Sequence, residues 1–317
     1  MKISVIIPVY NAERYVTQAV ESALQFEEVC EVLLIEDQSP DNALFVCQEL
    51  EKKHEKVKLF QHPDKGNHGA SSSRNLGIMN SSGDFIAFLD ADDYFLPNRF
   101  DYEKELFKDD AVEGVYGAIG VDYYTKKAKE QYYKLFREDL TTVYKRHDPK
   151  QVFPGQLYML GSFGLFSIDA LTIRRSSLME KMTLFFKSIL ILHEDTEFLY
   201  RLSYYLDLYP GSLDKAVAMR GVHDENRITK VDINKSNANA MRSRELLWNE
   251  VDRWSQGEET MPENIKIHIT RMRRSFEIAN ASVFKKWGMI LKYVFLDYHS
   301  IRSGLYNINF RNSLLSI

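Results

Sequence analysis

Short apolar runs alternate with amphipathic segments over roughly the first 90 residues of the chain. The apolar runs predict strands buried on both faces of a sheet, at residues 2–9, 29–35, 57–61 and 85–89. Between these strands, apolar residues recur at the spacing that is typical of helices. Such alternation predicts a mostly parallel sheet covered by helices.

Polar residues mark the expected starts of the first helices. Asn11 is expected to cap the first helix, and Ser39 with Pro40 is expected to begin the second. The third helix is predicted at residues 72–79. The apolar spacing predicts inner faces made of Val16, Ala19, Val20, Ala23 and Leu24 in the first helix, and of Leu44, Cys47 and Leu50 in the second.

The pattern is weaker in the second part of the chain. One or two strands are predicted within residues 112–122 and another at residues 170–173. A helix at residues 194–206 is expected to turn Phe198 and Leu202 inward, together with Leu199.

Two regions follow from this pattern. The fold class expected is α/β, with a mostly parallel, Rossmann-like sheet flanked by helices in residues 1–230. Residues 231–317 are expected to form a helical C-terminal region.

Composition and charge narrow the classes of function. Of the 317 residues, 44% are hydrophobic and 27% are charged, as expected of a folded protein. The net charge is −4, but residues 265–317 hold nine Lys or Arg against two acids, so the other residues carry −11. An acidic body without a basic recognition helix is not expected to bind nucleic acid.

The sequence also predicts a compartment. Cys30 and Cys47 are too few for a disulfide scaffold and are expected to be reduced core residues. Lys2 leads directly into an apolar strand, without the features of a secretory signal, and no apolar run reaches the ~18 residues of a membrane span. We therefore expect a cytoplasmic protein.

An acidic motif follows the apolar run at residues 85–89. Asp90, Asp92 and Asp93 stand at the C-terminal end of this strand, where open α/β sheets bind ligands. Carboxylates this close repel each other unless a cation holds them, and oxygen ligands suit Mg²⁺ or Mn²⁺ carrying a diphosphate. The alternative is that these acids solvate a loop and cap the next helix.

Polar loops follow the other predicted strands at the same edge of the sheet. They are Pro8-Val9-Tyr10-Asn11, Glu36-Asp37-Gln38-Ser39-Pro40-Asp41 and the Gly- and Ser-rich residues 67–77. Each loop alone has a structural explanation, whereas four polar loops at one edge favour a ligand site.

In order and spacing these motifs resemble the family 2 glycosyltransferases, which have the GT-A fold. The matching segments are residues 5–11, 36–41, 69–77 and 90–93, followed by residues 193–198 with Arg201 and by residues 220–223. The resemblance implies a GT-A-type fold and an inverting glycosyltransferase. It also implies a nucleotide-diphosphate sugar as the donor, with a UDP-sugar expected.

The resemblance implies roles for the first three loops. Pro8, Tyr10 and Asn11 would hold the nucleotide base, with the ring of Tyr10 as a stacking surface. Asp37 would accept a hydrogen bond from the base. The planar cation of Arg74 would bind sugar hydroxyls or the diphosphate.

The resemblance assigns the rest of the donor to the acidic motif. Asp90 would contact the ribose, Asp92 would ligate a divalent Mn²⁺ or Mg²⁺, and Asp93 would lie beside the donor sugar. His223 is expected to close over the diphosphate or its metal.

A base is also needed to remove the proton of the acceptor hydroxyl. The resemblance implies Asp195 for this role, with Glu194 as the second choice. A single base opposite the leaving group implies inversion at the anomeric carbon. The alternative is that both acids only complement the N-terminal dipole of their helix.

The acceptor is expected to be a glycan or a lipid-linked saccharide in cell-surface polysaccharide synthesis. It would meet the aromatic residues within 116–167. The basic and aromatic residues 265–317 leave two alternatives, peripheral contact with the inner face of a membrane or a helix packed onto the catalytic domain.

Two other functions use similar residues. A nucleotidyltransferase also pairs aspartates with a nucleotide, but it is expected to show a Gly-rich, basic loop after the first strand. A catalytically inactive sugar-nucleotide-binding module is expected to lose the acidic motif or the pair Glu194 and Asp195, and both are present.

Overall fold

The computed structural model describes residues 1–133, 140–143, 145–161, 163–190, 192–223 and 236–299. Within these residues, the strands are β1 (Ile3–Val9), β2 (Val29–Glu36), β3 (Val57–Gln61), β4 (Phe85–Phe88), β5 (Tyr94–Phe95), β6 (Gly114–Tyr116), β7 (Ala118–Tyr123), β8 (Leu171–Arg174), β9 (Leu208–Pro210) and β10 (Ala216–Val222). The helices are α1 (Val16–Leu24), α2 (Ala43–Lys53), α3 (Gly69–Asn80), α4 (Asp101–Leu106), α5 (Lys126–Tyr132), α6 (Pro149–Gln156), α7 (Arg175–Lys181), α8 (Glu194–Tyr205), α9 (Ser236–Gly257), α10 (Glu263–Asn280) and α11 (Val283–Leu296).

The main sheet has the strand order β3-β2-β1-β4-β8-β6-β9. The first four of these strands are parallel to one another. β8 runs antiparallel to both of its neighbours, β4 and β6, and β9 is parallel to β6. The predicted mostly parallel sheet is therefore confirmed.

Alternate residues of β1 enter two separate cores, one on each face of the sheet. Val5 packs in a core with Val16 of α1, whereas Ile6 packs in a core with Ile78 of α3 and Phe198 of α8. Because both faces are covered by helices, the strand has no solvent-facing side and its sequence is apolar except for the buried Ser4.

The first helix begins later than predicted. Asn11 has φ of +54°, in the left-handed region, and its N–H donates to Ser39 Oγ at 3.2 Å. A residue that caps a helix N-terminus normally has an extended backbone, so Asn11 is not the cap. A turn closed by the N–H of Tyr15 on the carbonyl of Ala12 comes first, and α1 begins at Val16.

The second helix also begins later than predicted, at Ala43. The N–H of Ala43 donates to Asp41 Oδ1 at 3.2 Å, so the carboxylate of Asp41 satisfies the helix start. Ser39 belongs to the preceding loop, where its N–H donates to Glu36 Oε1 at 2.6 Å. Of the predicted inner face, Cys47 and Leu50 are buried.

A second, smaller sheet has the strand order β5-β10-β7. β10 is parallel to β7 and antiparallel to β5, which directly follows the acidic motif. The small sheet therefore brings the end of β10 next to the aspartates that follow β4.

Contacts divide the chain into two units. One unit comprises Met1–Ile191 with Phe198–Asp224, and the other comprises Leu192–Glu197 with Glu225–Ile317. The predicted helical C-terminal region is confirmed by α9, α10 and α11, whereas its predicted boundary at residue 230 lies outside the described residues. Among the described residues, no helix combines the length and apolarity of a membrane span.

The C-terminal unit has its own core and ion pairs. Trp248 of α9 stacks on Phe276 of α10, with ring centroids 6.3 Å apart. Arg273 of α10 pairs with Asp252 of α9 at 2.7 Å. These contacts join α9 to α10.

Candidate active site

The strands that carry the predicted motifs are neighbours in the sheet. β1 lies between β2 and β4 and is parallel to both. The N–H of Asp37, after β2, donates to the carbonyl of Val9 at 3.0 Å, and the N–H of Leu89, after β4, donates to the carbonyl of Ile6 at 3.1 Å. The loops after these three strands therefore lie side by side, at the edge where such sheets bind ligands.

The loop after β1 presents an exposed aromatic ring. Tyr10 is 55% exposed, so its ring is accessible for stacking. Asn11 follows in its left-handed conformation, and Pro8 is half-buried within β1. The predicted contacts of these three residues with a base stay predictions.

Asp37 joins the end of β2 to the start of α3. Its Oδ1 accepts the N–H of His68 and its Oδ2 accepts the N–H of Gly69, both at 2.7 Å. Gly69 has φ of +82°, which glycine adopts without strain. The negative carboxylate lies at a helix N-terminus, where it is favourable. Since each carboxylate oxygen can accept a second hydrogen bond, the predicted contact of Asp37 with the base stays a prediction.

Arg74 of α3 forms an ion pair with Asp90. The distance from Nη2 to Oδ1 is 2.6 Å, and the arginine side chain is 3% exposed. The guanidinium also lies over the ring of Phe186, 5.4 Å from its centroid. Arg74 therefore holds the first carboxylate of the acidic motif through a charge-assisted hydrogen bond.

A third carboxylate joins Asp90 and Asp93, and the sequence did not single it out. Asp169 lies in the 3₁₀ turn Ile168–Ala170 before β8, and oxygen atoms of the three residues lie within 4.8 Å of one another. Asp169 Oδ1 accepts the N–H of Asp90 at 3.0 Å, and its Oδ2 accepts the hydroxyl of Ser167 at 2.9 Å. These three acids could hold a metal ion.

Burial changes the acidity of two of these aspartates. Burial and the charge of Asp169 raise the pKa of Asp93 well above its ordinary value. Burial and the charge of Asp90 raise the pKa of Asp169 to about 6. The buried pair therefore favours binding a proton or a cation over carrying two negative charges.

Asp92 lies beside His223. His223 Nε2 lies 3.1 Å from Asp92 Oδ2, and the Asp92 side chain is 29% exposed. The imidazole stacks on Tyr15, with ring centroids 4.3 Å apart, and lies 6.1 Å from the ring of Tyr124. These contacts fix the ring orientation, and a carboxylate beside an imidazole fits a divalent transition metal.

The end of β10 packs directly on the acidic motif. The N–H of Gly221 donates to Asp93 Oδ1 at 2.9 Å. A Cβ at position 221 would overlap the carbonyl oxygen of Asp92, to which the hydroxyl of Tyr124 donates at 2.8 Å. Only glycine fits this close approach, which places His223 beside Asp92.

Glu194 and Asp195 begin α8 and group with the C-terminal unit. Asp195 Oδ1 accepts the N–H of Thr196 at 2.7 Å, and the side chain is half-buried. His193, which precedes the helix, has φ of +66°, and burial lowers the pKa of its imidazole. Within the main unit the structure brings together Arg74, the acidic motif, Asp169 and His223. The role of Asp195 or Glu194 as the base that takes the acceptor proton stays a prediction.

Comparison with known proteins identifies the family. The model of the family described as glycosyl transferase family 2 matches residues 4–173, more than half of the chain. An uncharacterised glycosyltransferase of Nostoc is 35% identical over 161 residues, which cover 49% of this chain and 48% of that protein. The Bacillus subtilis minor teichoic acid biosynthesis protein GgaA is 36% identical over 139 residues, which cover 42% of this chain and 30% of that protein. The chain thus spans less than half the length of these relatives.

Solved structures show the same fold. The structure of S. aureus TarS residues 1–349 in complex with UDP-GlcNAc superimposes with a TM-score of 0.59 at 19% identity, covering 87% of this chain and 72% of that one. The family predicted from the motifs is confirmed: this chain belongs to glycosyl transferase family 2.

Proposed function

We propose that the protein is a metal-dependent, inverting glycosyltransferase that transfers a sugar from a UDP-sugar to a hydroxyl group. The observation that carries this proposal is the pair of Asp92 and His223, 3.1 Å apart at the carboxyl edge of the sheet. Next to this pair, Arg74 holds Asp90. The arrangement offers metal ligands, a fixed carboxylate and an accessible aromatic ring at one ligand-binding edge.

The first loops would bind the nucleoside. The exposed ring of Tyr10 would stack on the base, and Pro8 and Asn11 would shape the loop. The carboxylate of Asp37 accepts two backbone N–H groups, and each of its oxygens has a further lone pair. With one of these lone pairs it would accept the base N–H, a contact that suits uracil. Asp90, held by Arg74, would accept a ribose hydroxyl. The S. aureus TarS complex with UDP-GlcNAc supports a uridine nucleotide as the first donor to test.

Asp92 and His223 would hold the divalent ion. Because the site combines a carboxylate with an imidazole, we favour Mn²⁺ over Mg²⁺, which prefers oxygen ligands. When bound, the ion neutralises charge that develops on the leaving diphosphate. The rings of Tyr15 and Tyr124, which stack on the imidazole, would hold it in the orientation needed to bind the ion. Asp93, whose raised pKa makes it a hydrogen-bond donor when protonated, would lie beside the donor sugar.

Asp195 would accept the proton of the acceptor hydroxyl as the oxygen attacks the anomeric carbon, with Glu194 as the alternative base. The acceptor oxygen would form its bond to the anomeric carbon on the side opposite the leaving diphosphate as the bond to the diphosphate breaks, so the configuration would be inverted. The acceptor would be a glycan or lipid-linked saccharide, and the similarity to GgaA supports a setting in cell-surface polymer synthesis. The protein would then work in the cytoplasm at the inner face of the membrane.

The first test is Mn²⁺-dependent hydrolysis of UDP-GlcNAc and other UDP-sugars, in which water replaces the acceptor. Asp92→Asn keeps the size of the side chain and removes its charge, so we expect kcat/KM to fall at least about a hundredfold. The matched control is Asp110→Asn, which removes one charge from a fully exposed side chain and should leave the activity unchanged.

Other outcomes identify other functions. An Asp92→Asn variant as active as the original protein contradicts the proposed metal site. Release of pyrophosphate from UTP and a sugar 1-phosphate would favour a nucleotidyltransferase. Selective thermal stabilisation by UDP with Mn²⁺, in the absence of any turnover, would favour an inactive binding module.

A further inference from the structure

Helix α11 carries its large apolar side chains on the outside. Six of them are 43–94% exposed, and Leu296 is one of these. The other five share one side of the helix, and we call this set the apolar stripe: Phe284, Trp287, Leu291, Val294 and Phe295. A contiguous exposed apolar surface of this kind is unusual for a folded domain and marks an interaction site.

The positions of the apolar stripe fall on one side of the helix. With 3.6 residues per turn, spacings of three, four, three and one place the five side chains within an arc of roughly 100°. The 14-residue helix is about 21 Å long, so the stripe runs along most of its length.

The opposite side of α11 is fixed by contacts within the C-terminal unit. Lys286 and Tyr293 are buried, 6% and 8% exposed. Arg274 of α10 lies over the ring of Tyr293, 5.1 Å from its centroid, and donates to Asp297 at 2.9 Å. Arg271 also donates to Asp297, at 3.3 Å. Rotating α11 to bury the apolar stripe would break these contacts, so its outward orientation is part of the unit.

Charge indicates what covers the apolar stripe. Lys285 and Lys292 are exposed and lie together along one flank of the stripe, at about 80–100° from Phe284 around the helix. The sequence of α11 contains no Asp or Glu. An apolar face with an aromatic side chain and adjacent lysines, without acids, complements the headgroup region of an anionic bilayer.

We propose that α11 lies in the plane of an anionic membrane, with the apolar stripe inserted among the acyl chains and Lys285 and Lys292 on the phosphates. This inference deepens the proposed function and rests on it for the setting, because a lipid-linked acceptor is found at such a surface. The helix need not span the bilayer, since in-plane insertion by about 5–10 Å is enough for its apolar side chains.

Sedimentation with vesicles tests this proposal on the full chain. The probe is vesicles of phosphatidylcholine with phosphatidylglycerol, compared with phosphatidylcholine alone. We expect binding to the anionic vesicles, a decrease of at least about tenfold in Trp287→Glu/Phe295→Glu, and a decrease of about fivefold for each lysine in Lys285→Gln/Lys292→Gln.

A matched control separates the apolar stripe from added charge in general. Leu246→Glu/Ile267→Glu places two charges on exposed apolar sites of α9 and α10, 48% and 39% exposed, and should bind vesicles like the original protein. Equal binding by the stripe variant and this control would overturn the proposal. Failure of the original protein to bind the anionic vesicles would also overturn it. If the protein instead forms a stable dimer in lipid-free solution, and Trp287→Glu/Phe295→Glu dissociates this dimer, the apolar stripe binds a second copy of the chain and the proposal is overturned.

Two readouts keep this proposal distinct from the proposed function. Vesicle binding is measured without donor, metal or turnover. Hydrolysis of UDP-sugar is measured without vesicles, and the stripe variant should retain it. Binding without hydrolysis would therefore contradict only the proposed enzyme activity, and hydrolysis without binding would contradict only the membrane surface.

Discussion

Gly221→Ala tests how the end of β10 positions the acidic motif. A Cβ at this position would overlap the carbonyl oxygen of Asp92 and lie 2.6 Å from both Cζ and Oη of Tyr124. The two neighbours also bind each other, since Tyr124 Oη donates to that carbonyl at 2.8 Å. Neither can withdraw from the new methyl group without breaking this hydrogen bond.

The expected size of the effect follows from these contacts. Overpacking by one methyl group costs about 1–3 kcal/mol, and a clash with backbone favours the upper half of this range, about 2–3 kcal/mol. For a chain of this size, with an entropy of unfolding of about 2.1 cal/mol/K per residue, such a loss lowers the melting temperature by about 3–5 °C. Displacement of Asp92 from His223 should also weaken binding of UDP with Mn²⁺ by about tenfold.

Thermal unfolding and calorimetric titration of UDP in the presence of Mn²⁺ measure both effects. Gly257→Ala is the control, because a Cβ there has no atom within 4 Å. Its melting temperature and affinity should match those of the original protein. If Gly221→Ala melts within about 1 °C of the original protein and binds UDP equally well, the close packing of β10 on the motif is refuted.

Three further changes test other parts of the structure. Glu103→Gln leaves the fully buried guanidinium of Arg99 without the carboxylate that lies 2.5 Å away, so the free energy of unfolding in urea should fall by about 3 kcal/mol. The folded-state pKa of Asp169 is raised to about 6, so its protonated form stabilises the fold below about pH 4 and this contribution is lost as the pH rises through about 6. In EDTA-treated protein, Asp169→Asn should reduce this loss in the free energy of unfolding. The same pH profile of the free energy of unfolding in the variant and the original protein would contradict the raised pKa. Burial raises the pKa of the Cys47 thiol to about 12, so a disulfide reagent should label the half-buried Cys30 first and Cys47 only on unfolding. Equal labelling rates of the two cysteines in the native protein would contradict the burial of Cys47.

The sequence predicted the parts of the fold that depend on local pattern. β1 to β4 and the inward face of α8 follow from apolar spacing, which burial between two layers imposes directly. The helix starts at Asn11 and Ser39 were wrong because tertiary contacts use those residues otherwise. The N–H of Asn11 donates to Ser39 Oγ, and the backbone of Asn11 is in the left-handed region.

The parts of the site that were missed depend on pairing between distant segments. Asp169 reaches Asp90 because β8 inserts antiparallel beside β4, a pairing with no local signal in the sequence. Its only local cue is the Ser167-x-Asp169 capping pattern. Gly221 was part of a recognised motif, but its contact with Asp92 depends on the small second sheet.

Manganese binding in the presence of UDP tests the central claim most directly. Electron paramagnetic resonance counts free Mn²⁺ for the original protein, Asp92→Asn, His223→Gln and the double variant, with His299→Gln as an exposed histidine control. We predict that each single change at the site weakens Mn²⁺ binding at least about tenfold, and that the double variant loses less than the product of the two effects because both residues bind one ion. Unchanged affinity in both single variants would contradict the claim that Asp92 and His223 hold the metal of the donor.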